Sequence, residues 1–340
     1  MFRMISNRSR LAALALAGLS LAACGPERPA PTIAPSKPPE ITLGARIVDQ
    51  AGAYRTFIDR ASSISPAFVD GAMVAKSVEA GSAIESGQIM QGLIGYGAFV
   101  ALEDPAFVAG VRAQAIGDVQ RQQLAESLAA NPYNVLAISG SGSAANRVAL
   151  VLAEDGQRLY DAGKAVKQAA YDVQKQAWSK KEVANRTGRL ANAKSLSAVQ
   201  FDSDLGEVDL RAHAAGRRPP GGPVSAPYTQ TVVRSVAVAA MAVLGHTGAL
   251  RNDTVGAVMQ DTNTGSCARM TKLNLNQCLA VSKPYYEDIF CLGQHIMMDS
   301  GRCVIRASGL PEPYEARFVP TVRPPKPVPA PSRRVAPKKK

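Results

Sequence analysis

Aromatic side chains make up only 5% of the 340 residues, with a single Trp, and alternating β-branched segments are scarce. The period of two that marks a half-buried strand is therefore weak throughout, which argues against a sheet-based body. Histidine is almost as rare. His213, His246 and His295 are the whole set, and none adjoins a nucleophile-elbow sequence, so no Ser-His-Asp arrangement can be read. Carboxylate pairs for glycoside cleavage are defined by their separation in space, so none is chosen from sequence. The body cysteines Cys267, Cys278, Cys291 and Cys303 contain no close Cys-x-x-Cys pair, which argues against zinc, although His295 follows Cys291 by four residues.

Two further strings lack the residues that would make them sites. Gly140-Ser-Gly-Ser-Ala-Ala145 has no Lys-Ser or Lys-Thr and no acid at the end of a second strand, so it reads as a turn with Ser143 capping a helix. Asp261-Thr-Asn-Thr-Gly265 starts like a calcium loop, but position six is Ser266 and position twelve is Lys272, where glycine and a bidentate carboxylate are required. Thr264 or Ser266 as a helix cap explains that composition. No apolar run reaches the ~20 residues of a spanning helix. Gln88 and Gln91 interrupt residues 87–101, whose small residues suit close helix packing, and Arg234 and Ser235 interrupt 232–244. No catalytic residue, cofactor or metal is assigned.

What the chain does contain is helical periodicity. Helices are expected over 66–83, 87–102 and 104–130, the last opening on Glu103-Asp104-Pro105, an acidic start with proline in the first turn. The longest candidate is 143–178, where Leu159, Ala162, Val166, Ala169, Val173 and Ala177 recur at three and four residues in a heptad-like stripe. Its alanine-rich seam suggests close approach of another helix of the same chain, while Gly156 and Gly163 each weaken continuity by about 1 kcal/mol. Residues 202–227, with Arg217-Arg-Pro-Pro-Gly-Gly-Pro223, read as a long loop or linker. The expected fold is an all-α multi-helix bundle.

The two ends differ from this body. Arg3, Arg8 and Arg10 precede a short apolar run, 11–23, that closes in Leu21-Ala-Ala-Cys24. This resembles the signal peptide and lipobox of bacterial lipoproteins. The resemblance implies cleavage before Cys24, acylation of that cysteine, and, with Gly25 rather than Asp next to it, the periplasmic face of the outer membrane. Several acyl chains at ~0.8 kcal/mol per buried methylene would hold the protein there essentially permanently. Residues 25–40 carry six prolines and read as a disordered tether. The other end, with Arg323, Lys326, Arg333, Arg334, Lys338, Lys339 and Lys340 among prolines and no acid, reads as a disordered basic tail. Setting aside the three signal arginines and these seven cations, the net charge of +12 falls to +2, so the body is nearly neutral. Such a tail suits anionic lipid headgroups or peptidoglycan carboxylates, and export excludes nucleic acid.

With Cys24 committed to lipid, four cysteines remain, and an even count in an oxidising compartment argues for two disulfides. Pairing Cys278 with Cys291 and Cys267 with Cys303 centres both on Pro284, as expected of an antiparallel helical hairpin turning at Lys283-Pro284-Tyr285. Cys267 and Cys278 are eleven residues apart, three turns plus about 20°, and share a helix face. Cys291 and Cys303, twelve apart, do not align, so the second helix is expected to end at Asp299-Ser300-Gly301 with Cys303 beyond it.

The expected organisation is therefore a signal peptide (1–23), lipidated Cys24 and tether (24–40), helical body (41–201), linker (202–227), helix plus stapled hairpin (228–319) and basic tail (320–340). The functional expectation is a lipid-anchored periplasmic structural or accessory protein acting by binding, to peptidoglycan or an envelope complex. An envelope enzyme such as a cell-wall hydrolase, or an accessory subunit of a secretion or efflux assembly, are the alternatives.

Overall fold

The computed structural model describes residues 38–248 and 252–315, which fall in the compact unit Ser36–Lys340. Cys24, most of the proline-rich tether and the basic residues Arg323 to Lys340 lie outside the described residues. Thirteen α-helices and no strand are found among the described residues, so the chain is all-α. Among the described residues no single helix is long and apolar enough to cross a membrane.

The helix at the centre, α3 (Ser86–Leu102), carries no charged residue and from Gln88 onward is buried at every position except the half-buried Gln91. Glycines let its neighbours approach. A Cβ at Gly92 would lie 2.5 Å from the Gln50 carbonyl oxygen of α1 (Ala45–Ser62), and one at Gly97 would lie 2.3 Å from Ser235 Oγ of α9 (Gln230–Val243). The small residues at 87–101 therefore serve close packing in a core. Around this centre lie α2 (Gly71–Ser82), α4 (Pro105–Gln114), α5 (Asp118–Ala130), α6 (Ser141–Asp172), α7 (Arg186–Ala198) and α8 (Glu207–Gly216). The remaining helices are α10 (Asn252–Val258), α11 (Thr262–Val281), α12 (Tyr285–Cys291) and α13 (Asp299–Ser308).

Several sequence expectations change in detail. The Asp104 carboxylate does cap α4, accepting from Phe107 N at 3.0 Å with Pro105 in the first turn. The helix expected over 104–130 is nevertheless two, because the chain breaks after Gln114 and restarts from Gly117, whose N–H donates to Gln120 Oε1. Within 202–227 the expected loop contains α8, with Glu207 and Asp209 in its first turn and Leu210 and Ala214 buried. Ser143 does not cap α6. Gly140, at φ 81°, takes the cap position, while Ser143 Oγ donates to the Asp104 carboxylate. The cap of α11 is Asp261, whose Oδ1 accepts from Asn263 N and Thr264 N, rather than Thr264 or Ser266.

The long helix runs unbroken for 32 residues and packs along the C-terminal hairpin. Gly156 and Gly163, which weaken a helix in isolation, lie where it crosses that hairpin. Gly156 faces Gly301 and Ile305, and Gly163 faces Gly293 and Met297, with backbone atoms of the hairpin arm within 3 Å of where each Cβ would stand.

Both cysteine pairs lie at disulfide distance, Cys267 with Cys303 and Cys278 with Cys291, each with Cα atoms 5.7 Å apart. The hairpin turns at Ser282 to Pro284, as the spacing implied. The expectation that its second helix ends at 299–301 is overturned. The chain stays helical from Tyr285 to Ser308 by passing through a π-helical segment, Leu292–Met298. Three α-turns use about 10.8 residues, and the wider i→i+5 turns absorb about one more. Twelve residues on this arm thereby match eleven on α11. The facing glycines have the same offset: 156 and 163 are seven apart, whereas 293 and 301, which bracket most of the π segment, are eight apart.

Candidate functional site

The most highly charged interior region lies where α1, α6 and the end of α8 meet. Arg55 and Asp155 are both wholly buried. The Asp155 carboxylate is shared between two arginines: Arg55 Nη1 donates to its Oδ2 at 2.7 Å and Arg217 Nη1 to its Oδ1 at 2.7 Å. Tyr54 donates to Oδ2 from 3.3 Å. Arg55 also forks onto Asp59, at 2.6 and 3.0 Å, and Arg158 reaches Asp59 Oδ1 at 2.7 Å. Arg217 closes the set on Glu154 Oε2. Three arginines thus meet three carboxylates: helical spacing supplies two of the pairs, Arg55 with Asp59 on α1 and Asp155 with Arg158 on α6, and packing between elements supplies the others.

Charge reinforces charge here. Burial disfavours the Arg55 cation, but Asp155 and the hydrogen bonds that Arg55 donates to Asp59 outweigh it and raise its pKa, and Arg217 is raised in the same manner against burial by Asp155. Burial likewise opposes the Asp59 anion, yet hydrogen bonds from Arg55 and Arg158 bring its pKa down to about 2. Tyr96, pushed up to about 12 by burial and then by Asp155, keeps its proton. Its hydroxyl meets His213 Nδ1 at 2.6 Å. Burial first, then the Arg55 and Arg217 cations, lower the His213 pKa, which favours the neutral imidazole.

Above the cluster opens a cleft of about 610 Å³. Its polar side is formed by Glu154, Gln157, Arg158, His213 and Arg217. Its apolar side is formed by Leu150, Ala153, Ile305 and Leu310, with Pro220 and Pro311 at the rim. Gly221, at φ 142°, lets the rim close on Leu150, whose Cδ2 would lie 2.8 Å from any Cβ there. The arrangement can offer hydrogen-bond donors beside an apolar wall.

Of the residues singled out in the sequence, the four body cysteines come together in the two expected pairs. His295 Nδ1 is hydrogen-bonded with Asp299 Oδ2 at 2.8 Å. Among the described residues no group of three or more His, Cys, Asp or Glu side chains converges as metal ligands would. The charge cluster was missed in the sequence although a signal for it exists. Traced back from Leu159, the heptad stripe of α6 passes through Asp155, Leu152 and Val148 at steps of four, three and four, so an aspartate occupies a core position. Such a residue calls for a buried cation, and Arg55, beside the buried Ala51, Tyr54 and Ile58, is one.

Comparison with protein-family models, with curated proteins and with solved structures finds no match for this chain.

Proposed function

We propose that the chain is a lipid-anchored periplasmic protein of the cell envelope, fixed through Cys24 to the inner face of the outer membrane, that acts by binding rather than by covalent chemistry. The observation that carries this reading is the cysteine arrangement. All four body cysteines are at disulfide distance in pairs, a state favoured in an oxidising compartment, and every cysteine of the chain except Cys24 is thereby given a partner. That remaining cysteine is the one that ends the lipobox-like sequence. The buried charge cluster fits a binding role, since its carboxylates are engaged by arginines within a rigid helical body. The basic tail would add an electrostatic contact to peptidoglycan or another anionic surface of the envelope, or to an envelope complex.

Mass spectrometry of the mature amino terminus tests the anchor: an acylated Cys24 is the expected result, and Cys24→Ser should release the protein from the membrane fraction. An unmodified terminus, or cleavage elsewhere, overturns the proposal. Removing residues 323–340 should weaken sedimentation with purified cell wall at low salt and make little difference at high salt, because exposed charges are screened within a Debye length of ~10 Å at 0.1 M. Unchanged sedimentation at low salt would remove the tail from the reading.

A further inference from the structure

The cleft over the charge cluster combines three properties: spare hydrogen-bond donors, a local excess of positive charge and an apolar wall. Arg217 is fully committed to Asp155 and Glu154. Arg158 is not. Its side chain is 45% exposed and only Nη2 is engaged, on Asp59 and at 3.9 Å on Asp155, leaving Nε and Nη1 without a protein partner among the described residues. His213 adds a second donor. Tyr96 keeps its proton, so its O–H is available to donate to His213 Nδ1, 2.6 Å away. The imidazole then carries its one proton on Nε2, the ring nitrogen not engaged by Tyr96.

The charge balance points the same way. Three arginines and three carboxylates cancel within the cluster. Two more arginines, Arg147 and Arg218, bind carbonyl oxygens at the C-terminal end of α8 and have no carboxylate partner among the described residues. They leave the His213 side of the cleft positive. The same cleft is also lined by Leu150, Ile305 and Leu310, which offer apolar surface, and a volume of about 610 Å³ is within the range that takes a small molecule.

We propose that this cleft binds a small amphiphile, with its anionic carboxylate or phosphate head on Arg158 and His213 and its apolar body along Leu150, Ile305 and Leu310. The inference concerns the folded body and does not depend on the acyl anchor.

The test uses the full-length chain with Cys24→Ser, which stays unacylated and needs no detergent. Decanoate, decyl phosphate and decanol, each below its aggregation threshold, are titrated calorimetrically. At least one of the two anions should bind at a single site and decanol should bind at least tenfold more weakly; the tighter anion distinguishes a fatty-acid source from a phospholipid-like one. Arg158→Gln should weaken the anion about tenfold, the scale of one charge-assisted hydrogen bond, with Arg158→Lys restoring most of the loss. Leu310→Asp should weaken both anions. Because Arg158 is half exposed and Asp59 keeps its fork to Arg55, thermal melts of the Arg158 variants should match the parent. Equal affinity for decanol and the anions, no binding of either anion at millimolar concentration, or unchanged affinity in both Arg158→Gln and Leu310→Asp would overturn the proposal.

Discussion

Substituting alanine at two glycines of the same helix should move stability in opposite directions. A Cβ at Gly163, inside α6, would stand 2.6 Å from Met297 Cβ, 2.7 Å from Met298 N and 2.9 Å from the Gly293 carbonyl oxygen. Two of these are backbone atoms of the hairpin arm, held by bridges on either side of them, so they have little freedom to retreat. Overpacking of this kind costs about 1–3 kcal/mol. The gain in helix propensity from Gly to Ala returns about 0.8–1.0 kcal/mol. Gly163→Ala should therefore lose up to about 2 kcal/mol net, with a fall in melting temperature of about 2–4 °C per kcal/mol for a body of this size. At Gly142, in the first turn of the same helix, the only outside atom within 4 Å of a Cβ is Tyr228 Oη, at 3.8 Å. There the entropic effect is unopposed, and Gly142→Ala should gain about 0.4–1 kcal/mol. Urea unfolding with the disulfides intact measures both midpoints, and unchanged m-values would show that the native and unfolded ensembles are otherwise alike. Both variants stabilising to the same degree would refute the claim that glycine at 163 is required by the helix crossing.

Other perturbations probe the charge cluster, the bridges and a half-buried lysine. Asp155→Ala leaves Arg55 buried with one counter-charge fewer and should cost about 3–5 kcal/mol in urea unfolding, and an unchanged midpoint would show that the cluster is not coupled to folding. Cys278→Ser with Cys291→Ser opens a loop of separation 13 and should cost about 3 kcal/mol; Cys267→Ser with Cys303→Ser opens one of 36 and should cost about 4 kcal/mol. A larger loss for the inner pair would contradict the chain-entropy account. Lys272 Nζ donates to the Ser82 carbonyl oxygen, and burial, then Arg60, bring its pKa down from 10.5 to about 7. Between those values the unfolded chain holds the proton that the folded one has released, so stability should rise with pH across that window and be flat in this respect below it. Lys272→Met should remove the rise; the same slope in both proteins would place its origin elsewhere.

How much of this could be read from sequence depended on the length of the pattern that encoded it. The 32-residue helix repeats its apolar stripe often enough to stand out, and Asp104 with Pro105 marks a start whatever follows. α8 has only Leu210 and Ala214 to bury, too few for a period to show between Asp-rich and Pro-rich neighbours. The break between α4 and α5 rests on one glycine cap, Gly117, among residues that would all tolerate a helix. The charge cluster was obscure for a different reason. Asp155, Arg55 and Arg217 lie on three separate elements, and only the tertiary fold brings their charges within 3 Å of one another. The spare donors of Arg158 and His213 could not be recognised before those partners were known.

The hairpin register was legible in part, and its misread portion gives the sharpest test of the fold. Eleven residues separate the cysteines on α11 and twelve on the other arm, and the surplus residue, expected to end the helix, is instead absorbed in the π segment Leu292–Met298. If that is its origin, removing one residue from the segment should convert it to ordinary α-helix and leave every contact on either side in register. Gln294 is the suitable deletion, since its side chain makes only half-buried hydrogen bonds, accepting from Lys167 and donating to Asp299. The facing glycines would then be seven apart on both helices, and the cysteines eleven apart on both arms. Deleting Gln277, exposed on α11 between Cys267 and Cys278, removes a residue from the arm that has none to spare and rotates one cysteine against the other by about 100°. Alkylation and mass counting of the oxidised proteins should therefore find no free body thiol after deletion of Gln294 and at least two after deletion of Gln277. Equal numbers of free thiols in the two deletions would mean that the π segment does not set the register of the hairpin.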